Sequence, residues 1–73
     1  IHSNIFESMK KLQFIDLSNN RIKHIDQNSF HQLKSLRSIL LNNNSLKVLN
    51  PVLFNNCTKL EFVNLNDNEI YII

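Results

Sequence analysis

The side chains best equipped for chemistry in this sequence are His2, His24 and His31, the single cysteine Cys57, and the carboxylates Asp16 and Asp67. Nucleophilic catalysis needs a hydroxyl or thiol beside a base, and a metal site needs three or four ligands at suitable spacing. Neither pattern is present: the histidines are scattered, and no carboxylate pair is set by spacing. Asp16 and Asp67 can approach a cation from one side, but two distant carboxylates make no ligand set. One cysteine forms no internal disulfide and no C-x-x-C pair. With zero glycines there is no phosphate-cradling loop and no dinucleotide fingerprint. The expectation is a chain with no catalytic residues, no metal and no cofactor. Eight Lys and Arg against six Asp and Glu give +2. That is too weak to imply nucleic acid or an anionic membrane. No apolar run approaches the ~18 residues of a membrane-spanning helix, and no signal-peptide pattern opens the chain.

What does recur at fixed spacing is asparagine. Asn20, Asn44 and Asn68 stand 24 residues apart. An asparagine side chain carries a donor and an acceptor on a short stem. Where a chain turns inward after a strand, its backbone N–H and C=O groups lose water, and each unpaired one costs about 1–3 kcal/mol. A column of asparagines pairs both kinds of group at once; aspartate only accepts, and leucine does neither. Asn20, Asn44 and Asn68 are therefore read as a structural ladder. Their neighbours Asn19, Asn43 and Asp67 are expected to face solvent.

The asparagines belong to a longer frame, L-x-x-L-x-L-x-x-N-x-L. It is filled by Leu36, Ile39, Leu41, Asn44 and Leu46, by Leu12, Ile15, Leu17, Asn20 and Ile22, and by Leu60, Val63, Leu65, Asn68 and Ile70. Fixed-period self-similarity decides the fold class before any local propensity does. Counting from Leu12, Leu36 or Leu60 as position 1, apolar residues also recur at position 14 (Ile1, Ile25, Leu49, Ile73), position 19 (Phe6, Phe30, Phe54) and position 22 (Met9, Leu33, Cys57). Cys57 therefore reads as a small core hydrophobe, and Met9 is expected to point inward with Ile1 and Phe6.

The alternation around positions 4 and 6 predicts strands at about 13–17, 37–41 and 61–65. The rest of each unit returns the chain to the next strand, with apolar spacings of 3 and 5 that suit short helical or 3₁₀ turns. Asn50-Pro51 reads as an N-cap followed by proline at the first helical position, and Asp26 occupies the equivalent place one unit earlier. Parallel strands joined by such returns wind right-handed in nearly all cases. The expected class is α/β, a right-handed solenoid with a parallel sheet of about three strands. The chain reads as one segment, 1–73, with a partial unit at 1–11, full units at 12–35 and 36–59, and a partial unit at 60–73. It opens and closes in mid-unit with neither end resembling a polar cap, which predicts a fragment of a longer array whose apolar ends self-associate.

These eight recurring positions resemble those of leucine-rich repeats, and the 24-residue length with Phe at position 19 resembles the typical subclass found in Toll-like receptor ectodomains, small proteoglycans and neuronal cell-surface proteins. The resemblance covers the whole chain. It implies a curved solenoid whose concave sheet, edges or convex side bind a protein ligand or co-receptor, with no catalysis by the repeats. It also implies an extracellular or cell-surface setting. The cysteine-rich flanking caps usual in extracellular members are missing, so an intracellular scaffold or regulatory segment remains the alternative.

The resemblance makes the concave columns the ligand-contacting ones: Phe14, Ser38 and Phe62; Asp16, Leu40 and Asn64; Ser18, Asn42 and Asn66. Phe14, Leu40 and Phe62 form an apolar diagonal if exposed, and aromatics are favoured anchors. The competing reading of Phe14 and Phe62 is local packing, half covered by the preceding turn. Arg37 and Glu61 are expected to pair across strands, contributing ~0–1 kcal/mol. Lys10, Lys11, Lys34 and Lys59 form a basic edge, read as solvated rather than as a site for an acidic ligand. Two N-glycosylation sequons occur, Asn43-Asn44-Ser45 and Asn56-Cys57-Thr58. A glycan at Asn43 would obstruct the concave rim, so Asn56 is the better acceptor if the protein is secreted.

Overall fold

Three short strands, β1 (Phe14–Asp16), β2 (Ser38–Leu40) and β3 (Phe62–Asn64), form one parallel sheet in the order β1-β2-β3. The structure is a computed structural model that describes residues 9–72. Phe14 pairs with Ser38 and Ser38 with Phe62, so each strand is in register with the residue 24 positions on. Ile1, Phe6 and Ile73, expected in the core columns, lie outside the described residues.

The strands are three residues long rather than the five expected, because the backbone leaves the extended region soon after them. Asn19, Asn43 and Asp67 have φ of 57°, 56° and 58°. Hydrogen bonding between neighbours nevertheless runs past the strand ends: Leu17 N–H donates to Leu40 C=O at 2.8 Å, and Asn19 N–H donates to Asn42 C=O at 3.0 Å. The left-handed region disfavours residues with a Cβ by about 1–2 kcal/mol, with Asn and Asp the usual exceptions. In a chain without glycine, Asn or Asp at position 8 is the remaining way to make this turn.

The return segments are turns, and no helix occurs among the described residues. This corrects both the α/β class and the expected helical or 3₁₀ returns. Ser29, His31, Leu33 and Leu36 donate to carbonyls three residues back, as do Leu53, Asn55, Cys57 and Leu60 one repeat later. These bonds skip alternate residues, whereas a 3₁₀ helix needs them in succession. Asn50 still acts as a cap, but of a turn: its Oδ1 accepts from Val52 N–H at 3.0 Å beside Pro51.

Behind the sheet lies an apolar interior of Ile15, Phe30, Leu33, Leu36, Ile39, Leu41, Leu46, Leu53 and Cys57, all buried. The rings of Phe30 and Phe54 stack with centroids 5.8 Å apart and planes at 13°. Leu53 and Ser29 are also buried, at position 18, a column the frame did not include. Met9 departs from expectation: it is 45% exposed. Burial holds the Cys57 thiol above its ordinary pKa, and its Sγ faces Phe30 C=O at 3.6 Å.

Candidate binding surface

Because side chains alternate along a strand, the residue that faces the interior in each strand (Ile15, Ile39, Val63) leaves its two neighbours on the outward face. That face has three rows. The first is Phe14, Ser38, Phe62; the second is Asp16, Leu40, Asn64; the third, just past the strands, is Ser18, Asn42, Asn66. Phe14 and Phe62 are 54% and 52% exposed, while Ser38 between them is half-buried. About half of each phenylalanine is therefore covered and half is left in solvent. Two strand spacings separate the two rings' backbones, about 9.6 Å, with Ser38 on the strand between them.

The second and third rows are tied together at the outer strands. Asp16 Oδ1 accepts from Ser18 N–H at 3.0 Å and from Ser18 Oγ at 2.5 Å. These bonds, the hydroxyl's first, hold the Asp16 carboxyl below its ordinary pKa of 3.8. Asn64 Oδ1 accepts from Asn66 N–H at 3.0 Å. In the middle strand Leu40 supplies no acceptor, and Asn42 Oδ1 is buried without a hydrogen-bond partner. Arg37 donates to Glu61 Oε1 at 3.0 Å on the rim, with both side chains more than half exposed.

Under this face runs the asparagine column. Asn44 is 8% exposed; its Nδ2 donates to Leu17 C=O and Leu41 C=O at 3.0 Å, and its Oδ1 accepts from Ile22 N–H at 3.1 Å. Asn68 repeats this arrangement, with Nδ2 on Leu41 C=O at 2.9 Å and Leu65 C=O at 3.0 Å and Oδ1 on Leu46 N–H at 3.0 Å. Asn20 is exposed and donates to Leu17 C=O and Ser18 C=O. The neighbouring column is exposed, but it has a geometric task that frame-reading missed: it carries the left-handed turn. The signal was Asn or Asp at position 8 in every unit. Asn43 Nδ2 also donates to Asn19 Oδ1 at 2.7 Å, linking two repeats.

Both sequon amides are engaged. The Asn43 amide holds Asn19, and the Asn56 Nδ2 lies 2.6 Å from His31 Nδ1 and 3.3 Å from His31 C=O, with Asn56 half-buried. Lys10, Lys11, Lys34 and Lys59 are all exposed. Among the described residues no three or more His, Cys, Asp or Glu side chains are placed to hold a metal ion.

Set against known proteins, the pattern has a clear relative at the level of family. The leucine rich repeat profile matches residues 1–46. None of the curated proteins compared matches the chain. With a repeat of 24 residues, a parallel sheet in that same register and a family match over more than half its length, this chain belongs to the leucine rich repeat family.

Proposed function

We propose that the chain is a non-catalytic protein-recognition module, part of a receptor-type or secreted ectodomain. In this reading its repeats wind right-handed into a solenoid, and the outward sheet face is the concave side presented to a protein ligand or co-receptor. The observation that carries the reading is the pair Phe14 and Phe62, each more than half exposed on a face whose other side chains, half-buried Leu40 apart, are polar. Folding gains nothing from leaving a large aromatic in water, whereas rigid aromatics flanking a small residue supply contact area at low entropic cost. The mechanism is display: the backbone ladder and the asparagine column, buried at Asn44, fix the sheet, and Phe14, Leu40, Phe62, Asp16, Ser18, Ser38, Asn42, Asn64 and Asn66 differ from repeat to repeat on its outward face.

Three strands offer fewer positions than the roughly 20–30 residues a side of a standard interface, so this face acts together with neighbouring surface. The setting is proposed as extracellular or cell-surface, with Asn56 rather than Asn43 as the glycan acceptor. The intracellular-scaffold reading draws on the engagement of both sequon amides and on a buried, unpaired Cys57. Glycopeptide mass spectrometry of the protein recovered from its native source separates the two: an occupied Asn56 selects the first, and unmodified Asn43 and Asn56 select the second.

The binding reading is tested by screening the chain against displayed protein ectodomains and remeasuring each hit with Phe14→Ser and Phe62→Ser. Loss of roughly 2 kcal/mol or more per phenylalanine is the expected hot-spot signature. Hits that bind the double variant as tightly as the wild type refute this face as the site.

A further inference from the structure

A second surface lies away from the sheet face, where each repeat turns off after its asparagine. A groove of about 340 Å³ opens there between successive repeats, lined by Lys23, His24, Ser45, Lys47, Val48 and Glu69. Its origin is a lapse in the backbone ladder. One repeat on, Tyr71 N–H donates to Lys47 C=O at 3.0 Å, Leu49 N–H donates to Ile72 C=O at 2.8 Å, and Val48 bridges Ile72. The corresponding bonds, Lys47 N–H to Lys23 C=O and Ile25 N–H to Val48 C=O, are not formed among the described residues. Backbone pairing between these two repeats thus ends at Ser45 N–H to Ile22 C=O, 2.9 Å, and the groove sits just beyond it.

The residues along this edge are graded. Lys23 and Lys47 occupy the same position in consecutive repeats and are both exposed, and neither has an ion-pair partner among the described residues. Beyond them the column continues as Tyr71, 72% exposed, beside Val48 at 52% and Ile72 at 48%. Three of the large apolar side chains left in solvent are therefore neighbours along the backbone here, next to two lysines that form no ion pair among the described residues. A contiguous apolar patch bordered by charge is the usual mark of an interaction surface. Glu69, which lines the same groove from the Tyr71 repeat, disfavours a second anion at that end and so sets which way round an occupant lies.

We infer that this edge is a contact surface for an extended segment of a protein partner, acidic at one end and apolar at the other. The acidic end lies over Lys23 and Lys47, with the apolar end over Val48, Tyr71 and Ile72. From the Lys23 repeat to the Tyr71 repeat is two spacings of ~4.8 Å, which an extended peptide rising ~3.3 Å per residue crosses in about three residues. A recognition segment of five or six residues covers the whole edge. This surface is separate from the Phe14–Phe62 face, and its case does not depend on that one.

The probe is a fluorescein-labelled Glu-Asp-Glu-Leu-Phe-Leu peptide, titrated into the whole chain at low ionic strength, with amide chemical shifts mapping its footprint. Expected are shifts at Lys23, Ser45, Lys47, Val48 and Tyr71, and weakening of roughly tenfold or more in Lys23→Glu/Lys47→Glu, since reversing both charges sets like charge against the acidic end. Unchanged melting of that variant keeps the loss attributable to the surface. Affinity unchanged in the variant, a footprint on Phe14 and Phe62, or capture of a sulfated oligosaccharide at the same residues while the peptide fails to bind would each overturn the inference. Phe14→Ser/Phe62→Ser is expected to bind the peptide normally, so failure of either surface is read independently of the other.

Discussion

Replacing Asn44 by alanine is the sharpest test of how this fold holds together, because the structure says which lost bonds matter. Asn44 donates to Leu17, Leu41 and Asn42 carbonyls and accepts from Ile22 N–H. Each carbonyl has a second partner: Leu17 C=O keeps Asn20 Nδ2 at 2.9 Å, Leu41 C=O keeps Asn68 Nδ2 at 2.9 Å, and Asn42 C=O keeps Asn19 N–H at 3.0 Å. Only the Ile22 N–H is left without an acceptor, at a half-buried position. One such orphan costs about 1–3 kcal/mol, and the void left by the amide brings the expected loss to about 2–3 kcal/mol. For a domain of this size each kcal/mol lowers the melting temperature by about 4–8 °C. Asn44→Ala should therefore melt roughly 8–24 °C lower by circular dichroism. Asn20→Ala is the control: it is exposed, its Leu17 carbonyl keeps Asn44, and it should cost under ~0.5 kcal/mol. Asn44→Asp retains the acceptor for Ile22 but sets a carboxylate among carbonyl oxygens. Its folded pKa must rise, so that variant should be most impaired at neutral pH and recover as pH falls toward ~4. Equal melting of Asn44→Ala and Asn20→Ala would refute the accounting.

Three further outcomes follow from the same geometry. Phe30→Ala, at a site with no exposure, should cost about 3–5 kcal/mol in urea unfolding, and Phe54→Ala, half-buried against the same ring, clearly less. At Asp67, φ of 58° makes Asp67→Gly nearly neutral, whereas the branched Asp67→Val should lose roughly 1–2 kcal/mol; equal losses would show that the side chain, not the turn, is what matters. Asp16 is held below its ordinary pKa of 3.8 by Ser18, so its contribution to stability is present above that value and is lost as pH falls below it. An acid titration followed by carboxyl chemical shifts should find Asp16 still ionised below its ordinary range, and Ser18→Ala, which removes the hydroxyl bond but keeps the backbone one, should move its titration part of the way back up.

The sequence by itself determined the repeat, its length, and most of the interior. A dry interior can be filled only by apolar side chains returning at fixed steps, so Phe30, Leu33, Leu36, Ile39, Leu41 and Leu46 are legible without coordinates. The asparagine column is legible too, since few side chains satisfy a donor and an acceptor together. Tertiary structure alone decided the rest. Whether a return segment is a helix or a run of turns is settled by its backbone hydrogen bonds, which here close single turns three residues long rather than a helix. Whether Phe14 and Phe62 pack or protrude depends on where the preceding turn lies, which no spacing encodes. The lapse in backbone pairing between Lys23 and Lys47 belongs to the way neighbouring repeats meet. Periodicity averages over the repeats and records what they share. The surfaces that face a partner arise where they differ, and that difference becomes geometry only once the repeats are stacked.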